Sequence, residues 1–154
     1  MVCRLASTKA LSVYNEFPDS WVIGADTVVA AGDHVLGKPS GYEGALSMIE
    51  MLQGKMHTVI TGVALIAPDG RKLVEAEKTN VKFRPLNEKE IISYVGSGES
   101  FDKAGSYAIQ GQGMLLVESI VGCYFNVVGL PLQRLSRMFA DLGWPLSEQW
   151  RKMS

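Results

Sequence analysis

The feature that most constrains the fold is a nearly unbroken apolar run from Val59 to Ala67, followed at once by Pro68-Asp69-Gly70. An apolar run of this length that ends at a turn signal is typical of a buried strand. After the turn the residues alternate between apolar and polar types, most clearly around Val81 and Phe83. The pattern predicts two consecutive strands, the first central in a sheet and the second with one face toward solvent.

Two further strand patterns flank this pair. Residues 21–30 and 34–37 are expected to form a hairpin, because Gly32-Asp33 between them favours a tight turn. The segment "MLLVESIVG", residues 114–122, predicts another strand. The glycine-rich segment before it, "FDKAGSYAIQGQG", has no apolar period and is expected to be a loop.

Four segments carry the signals of helices. Residues 2–14 have a helical apolar stripe, and Pro131 precedes an amphipathic segment that Gly143 is expected to end. Two others begin with a capping-box pattern, a cap residue followed three positions later by glutamate: Ser40 with Glu43, and Asn87 with Glu90. Strands and helices in this mixed order predict an α/β or α+β domain with a mixed β-sheet and flanking helices.

The composition excludes several classes of protein. The chain has 154 residues, 47% hydrophobic and 20% charged, with a net charge of −1, which is typical of one soluble domain without a nucleic-acid or membrane partner. The two cysteines, Cys3 and Cys123, have no metal-ligand spacing and no disulfide pattern, so a reducing cytoplasm is expected. We expect neither a signal peptide at Met1 nor a transmembrane helix, since Glu118 interrupts the longest apolar candidate.

Three places combine charged or polar side chains in a way that favours a phosphate ligand. Asp26-Thr27 interrupts an apolar strand, Lys38 follows the hairpin, and the glycine-rich loop carries Asp102, Lys103 and Gln110. An acid can hold a metal or prepare a water, lysines can contact phosphate oxygens, and an amide can read the edge of a base. The residues alone therefore indicate a metal-bound polyphosphate site whose chemistry is left open.

Each of these places also has a purely structural interpretation. In that interpretation, Asp26-Thr27 satisfies neighbouring backbone amides, Lys38 is a solvated lysine, and Asp102-Lys103 is an exposed ion pair of small worth. His34 and His57 have no partner that the sequence identifies, and we interpret both as structural. The chain has no GxxxxGK[ST] loop and no GxSxG elbow, so neither a P-loop NTPase nor a serine hydrolase is supported.

Four ordered motifs resemble the Maf family of nucleotide pyrophosphatases. They are "VCRLASTKA", "IGADTVVAAGDHVLGKP", "LQGKMHTVITGVAL" and "SFDKAGSYAIQGQGMLLVESIVGCYFNVVGLPL", which together extend from residue 2 to about residue 142. The resemblance implies one elongated Maf/Ham1-like α/β domain over residues 1–154, with a deep cleft between two lobes, often as a homodimer. It also implies metal-assisted hydrolysis of nucleoside triphosphates to monophosphate and pyrophosphate, with Mg²⁺ or Mn²⁺, as house-cleaning of the nucleotide pool.

The resemblance assigns roles to individual residues. Asp26 would activate the attacking water, through the metal if it is a ligand, and Lys9 and Lys38 would contact the triphosphate. Thr27 and Gln110 match the branch that acts on dTTP, UTP and modified pyrimidine nucleotides rather than the branch that prefers 7-methyl-GTP.

Other parts of the expected site are less defined by the resemblance. Asp102 and Lys103 are candidates to complete it, and the metal ligands beyond Asp26 are not identified. Family members begin with an apolar strand and a Ser-Pro-Arg-Arg-type phosphate loop, whereas this chain begins at "MVCRLASTKA". A second hypothesis is therefore a catalytically weak or inactive nucleotide-binding or dimerisation domain, as in Maf-like domains of larger fused proteins. A sugar- or cofactor-binding module is a third.

Overall fold

A computed structural model describes residues 1–99 and 101–153. The helices are α1 (Val2–Glu16), α2 (Gly41–Leu52), α3 (Glu88–Gly96), α4 (Tyr124–Val128), α5 (Leu132–Asp141) and α6 (Leu146–Met153). The strands are β1 (Val22–Ala31), β2 (His34–Leu36), β3 (Met56–Ile66), β4 (Lys72–Phe83) and β5 (Val117–Val121). The loop before β5 contains two short 3₁₀ helices, Ala104–Ser106 and Gly111–Leu115.

The five strands form one sheet in the order β2-β1-β3-β4-β5. The apolar strand β3 is central, as its composition predicts. The pairs β1–β2 and β4–β5 are antiparallel, and the register of the second pair shifts between Lys82 and Phe83. The predicted α/β class is confirmed, the predicted hairpin of β1 and β2 is present, and β3 and β4 are neighbouring strands on either side of the predicted turn.

The chain divides into two compact units. Unit 1 comprises Met1–Asp26, Thr61–Glu77 and Leu130–Ser154, and unit 2 comprises Thr27–Ile60 and Lys78–Gly129. The strands β1, β3 and β4 each contribute residues to both units.

Unit 1 is built around the second half of β3, whose two faces are both covered. Val63 and Leu65 pack in a cluster with residues of α5, including Met138. The residues between and after them, Ala64 and Ile66, pack in another cluster with α1. Because successive side chains of a strand point to opposite faces, a strand covered on both sides needs an almost continuous apolar run.

Unit 2 has a larger apolar core. Phe83 of β4 is fully buried and packs with Ile49 of α2 and Tyr94 of α3. The second half of β4 shows the predicted alternation, since Thr79, Val81 and Phe83 are buried and the residues between them are exposed.

Several local predictions were wrong in detail. Ser40 precedes α2, but its side chain makes no capping hydrogen bond, whereas the capping box of Asn87 and Glu90 is complete. The strand expected from Met114 begins only at Val117, because the preceding residues form a 3₁₀ helix. The helices α4 and α6 were not predicted, since each is only one or two turns long.

The described residues also include both cysteines and all of the helices named above. Cys3 and Cys123 are both free cysteines. Across residues 1–99 and 101–153, no helix combines the length and the apolar character needed to cross a lipid bilayer.

Candidate active site

Unit 1 brings Lys9 of α1 directly onto Asp26 of β1. The Lys9 ammonium donates to Oδ1 of Asp26 at 2.9 Å and to the carbonyl oxygen of Ala25 at 3.2 Å. The Asp26 side chain is only 18% exposed, whereas that of Lys9 is 57% exposed. The costly position of an acid within a strand is thus explained by a charged partner that also reaches solvent.

Two glycines allow this contact. A Cβ atom on Gly24 would collide with the backbone of α1 at Ala6 and Ala10, and one on Gly62 would collide with Val2 and Cys3. The helix therefore lies against the bare backbone of β1 and β3, closer than any side chain would permit. The sequence signal was available as a glycine inside each strand pattern, but it was not interpreted as a helix contact.

The remaining predicted residues belong to unit 2. Thr27 follows Asp26 along β1 and is partly buried. Lys38 is exposed in the connection between β2 and α2. Gln110 is exposed and directly precedes the second 3₁₀ helix.

Backbone contacts bring the segments that carry these unit 2 residues together. The N–H group of Gly105 donates to the carbonyl oxygen of Gly37, the neighbour of Lys38, at 3.0 Å. A Cβ atom on Gly105 would lie 3.0 Å from a methyl group of Val29, two residues after Thr27. The glycine-rich loop is therefore packed against β1 and against the segment before Lys38.

Asp102 and Lys103 form the exposed ion pair that their structural interpretation describes. Their charged atoms are 4.0 Å apart, and the side chains are 75% and 47% exposed. An ion pair this open is worth about 0–1 kcal/mol. Their part in the candidate site stays a prediction.

Sequence reasoning missed a buried polar pair that joins the glycine-rich loop to β3. Nε2 of His57 lies 2.7 Å from the hydroxyl oxygen of Tyr107, and both rings pack edge-on against Phe83. Burial lowers the pKa of His57 to about 4, so the imidazole is neutral at physiological pH. Burial, and secondarily Tyr94, raises the pKa of Tyr107 above its usual range. The structural interpretation of His57 agrees with this environment.

The described residues offer a limited set of metal ligands. Within residues 1–99 and 101–153 there is no group of three or more His, Cys, Asp or Glu side chains that could hold a metal ion. Mg²⁺, however, is commonly bound by one or two carboxylates together with substrate phosphates and water. Asp26 fits that smaller requirement, whereas the described residues provide no cluster of these side chains that could hold the ion alone.

Comparisons with known proteins identify the family of this chain. The family model described as Maf-like protein matches residues 1–142. A dTTP/UTP pyrophosphatase of Geobacillus sp. (strain WCH70) is 52% identical over 140 residues, which cover 91% of this chain and 75% of the relative. Proteins of the same name from Caldicellulosiruptor bescii and Clostridioides difficile (strain 630) are 47% and 49% identical, over 94% and 88% of this chain and 75% and 70% of theirs. The match extends over Asp26, its lysine partner and the loop of Gln110, and the chain belongs to the Maf-like protein family.

Proposed function

We propose that this protein hydrolyses dTTP and UTP, and related modified pyrimidine nucleotides, to the monophosphate and pyrophosphate. The observation that carries the proposal is the Asp26 carboxylate, which is held by Lys9 in a chain about half identical to dTTP/UTP pyrophosphatases. Removal of unwanted nucleotides from the pool would be the corresponding cellular role.

Asp26 is proposed to accept a proton from the attacking water. The water oxygen forms a bond to the α-phosphorus, and the bond from that phosphorus to the bridging oxygen breaks. The electron pair leaves with pyrophosphate, and the proton of the water moves to Oδ2 of Asp26. Oδ1 already accepts from Lys9, which leaves Oδ2 for this task.

Lys9 is proposed to contact the triphosphate as well as Asp26. An ammonium group has three hydrogens, and two of them are used by Asp26 and Ala25. The third is available on a side chain that is more than half exposed. Lys38, also exposed, is proposed to neutralise charge on the departing pyrophosphate.

A divalent ion, Mg²⁺ or Mn²⁺, is proposed as cofactor. Asp26 would hold it together with oxygens of the triphosphate, and the ion would neutralise charge on the phosphoryl oxygens.

Gln110 and Thr27 are proposed to read the base. A uracil or thymine ring presents an N–H donor between two carbonyl acceptors, and a glutamine amide offers a matching acceptor and donor. The exposure of Gln110 at the end of an anchored loop supports this role. A site built to hydrogen-bond one base edge discriminates strongly against ligands with another.

The direct test compares release of pyrophosphate from dTTP, UTP and 7-methyl-GTP, each with Mg²⁺ and with Mn²⁺. We expect turnover of both pyrimidine nucleotides with a clear preference over the methylated purine. The opposite preference would overturn the substrate assignment. Binding of dUTP analogues by thermal shift without turnover of any substrate would instead favour the inactive nucleotide-binding domain.

A homodimer, which the family resemblance implies, and a cytoplasmic location, which the cysteine usage favours, are also proposed. Size-exclusion chromatography with light scattering tests the first, since a mass of one chain at micromolar concentration would contradict it. Fluorescence microscopy of the tagged chain tests the second.

A further inference from the structure

The loop that carries Gln110 is held on both sides of that residue by hydrogen bonds. Gln110 has an extended backbone, and Gly111 after it has a φ of +64°, which favours glycine. The two residues that follow, Gln112 and Gly113, turn their N–H groups inward to the same acceptor.

That acceptor is the carboxylate of Glu99, just after α3. Its Oε2 accepts from the N–H of Gln112 at 2.9 Å, and its Oε1 accepts from the N–H of Gly113 at 3.1 Å. A Cβ atom on Gly111 would lie only 2.6 Å from Oε2, so the loop backbone lies directly on the carboxylate. Successive N–H groups around one anion form a backbone nest, filled here by a side chain of the same protein.

The other side of Gln110 is fixed by two tyrosines. The hydroxyl of Tyr94 accepts from the N–H of Ala108 at 3.2 Å and lies 3.4 Å from Oε1 of Glu99, to which it donates. Tyr107 is bound to buried His57. Glu99 is therefore linked to the loop both before and after Gln110.

We propose that Glu99 is a positioning residue for base recognition, which acts by holding Gln110 at the position where its amide meets the pyrimidine edge. This inference rests on the proposed function, because it requires that Gln110 read the base.

The physical reason is the number and kind of hydrogen bonds that Glu99 makes. A carboxylate can accept from two N–H groups at once, and hydrogen bonds to an ionised acceptor are stronger than neutral ones. A glutamine in its place would accept a hydrogen bond from one of the two N–H groups through its amide oxygen. Its own amide N–H₂ group would face the other N–H group, and no hydrogen bond would form there. The turn after Gln110 would then lose one anchor while the apolar core of unit 2 stayed intact. Base recognition requires that the recognising side chain be held within about 0.5 Å of its binding position. Loss of this anchor should therefore affect the discrimination between bases.

The test is Glu99→Gln, assayed for pyrophosphate release from dTTP, UTP and GTP. We expect the KM for dTTP and UTP to rise about tenfold, with kcat changed less than about twofold. The preference for UTP over GTP in kcat/KM should fall by about the same tenfold factor. Glu88→Gln, which changes an exposed glutamate in the first turn of α3, is the matched control. It should leave the KM, the kcat and the preference for UTP over GTP unchanged.

A double-mutant cycle with Gln110→Ala identifies the route of the effect. If Glu99 acts through Gln110, Glu99→Gln should change the UTP preference less than about twofold once Gln110 is alanine. Tyr94→Phe, which removes one hydroxyl that contacts both Glu99 and Ala108, should give a smaller rise in KM. That variant keeps the proposal testable if Glu99→Gln folds poorly.

Two results would overturn the inference, and they differ from each other. A wild-type chain that releases no pyrophosphate from dTTP or UTP overturns the proposed function, and this inference with it. An active wild type whose Glu99→Gln and Tyr94→Phe variants keep the UTP preference, or lose it equally with and without Gln110, overturns the role of Glu99 alone.

Discussion

The two compact units use polar side chains in opposite ways. In unit 1, Lys9 and Asp26 form a charged pair, and the lysine is largely exposed. In unit 2, His57 of β3 and Tyr107 of the glycine-rich loop form a neutral pair in a buried setting. Because the Lys9 side chain is more than half exposed, this charged pair is accessible to a ligand. The buried neutral pair joins the glycine-rich loop, through Tyr107, to β3.

This difference leads to opposite expectations for substitutions in the two units. Changing the acid of unit 1 should abolish activity while the protein stays folded. Changing the polar pair of unit 2 should affect folding, in a manner that depends on pH.

The largest expected effect is that of Asp26→Asn. Loss of the proton acceptor should lower kcat for dTTP about 100- to 10,000-fold, the usual contribution of a general base. Because asparagine can still accept from Lys9, the melting temperature should change by only a few degrees. Pyrophosphate release and thermal unfolding measure the two quantities. Asp33→Asn in the exposed β1–β2 turn is the control, and equal rates in the two variants would remove Asp26 from the reaction.

Asp26 was recognisable from the sequence as a candidate, because an acid within a strand pattern requires a reason, whereas Lys9 became a candidate only through the family resemblance. The contact between Asp26 and its lysine, 17 residues away, came only with the structure. It depends on α1, which lies against Gly24 and Gly62. The hydrophobic periodicity of a sequence does not indicate which element covers a glycine. The contacts of Glu99 were equally invisible, since two of its partners are backbone N–H groups, which have no sequence signature.

Gly24→Ala tests how closely α1 must approach β1. The added methyl group would collide with helix backbone, which cannot move as a flexible side chain can. We expect a loss of about 3 kcal/mol in the free energy of unfolding, together with lower activity as Lys9 is displaced from Asp26. Urea denaturation measures the first and pyrophosphate release the second.

Gly96→Ala, at the end of α3, is the control for that substitution. Its added methyl group would meet no atom within 4 Å, and alanine is the better helix former. Stability should therefore stay the same or increase slightly. A Gly24→Ala protein as stable as this control would show that the close packing of α1 is not required.

The buried pair of unit 2 predicts a loss of stability in acid. Burial lowers the pKa of His57 from 6.5 to about 4, so between these values the unfolded chain binds a proton that the folded chain excludes. The contribution of neutral His57 is complete above pH 6.5 and declines as the pH falls toward 4. From pH 7.5 to pH 5 the free energy of unfolding should fall by about 2 kcal/mol on this account.

His57→Gln separates this contribution from those of other titrating groups. The glutamine amide can bond to Tyr107 but does not titrate. Urea unfolding at pH 7.5 and pH 5 should show a smaller acid-induced loss in the variant, by about 2 kcal/mol. Equal losses in variant and wild type would mean that His57 is not the buried neutral group described above.

The fold as a whole was more predictable than its details. The apolar period located β3 and β4, because burial on both faces or on one face leaves a direct trace in the sequence. The capping-box pattern succeeded once and failed once, although both instances have suitable residue types. A cap depends on the backbone angles of the cap residue, and Asn87 has an extended ψ of 171° whereas Ser40 has a ψ of 83°.

The smallest expected effect compares these two helix starts. Asn87 accepts from the N–H of Glu90 at 2.9 Å, and Glu90 accepts from the N–H of Asn87 at 3.1 Å. Asn87→Ala should therefore cost about 1 kcal/mol in the free energy of unfolding, and Ser40→Ala less than about 0.5 kcal/mol. Urea denaturation of both variants at pH 7.5 measures the difference. Equal losses would mean that the serine caps α2 in solution, and that the sequence pattern was the better guide at that helix.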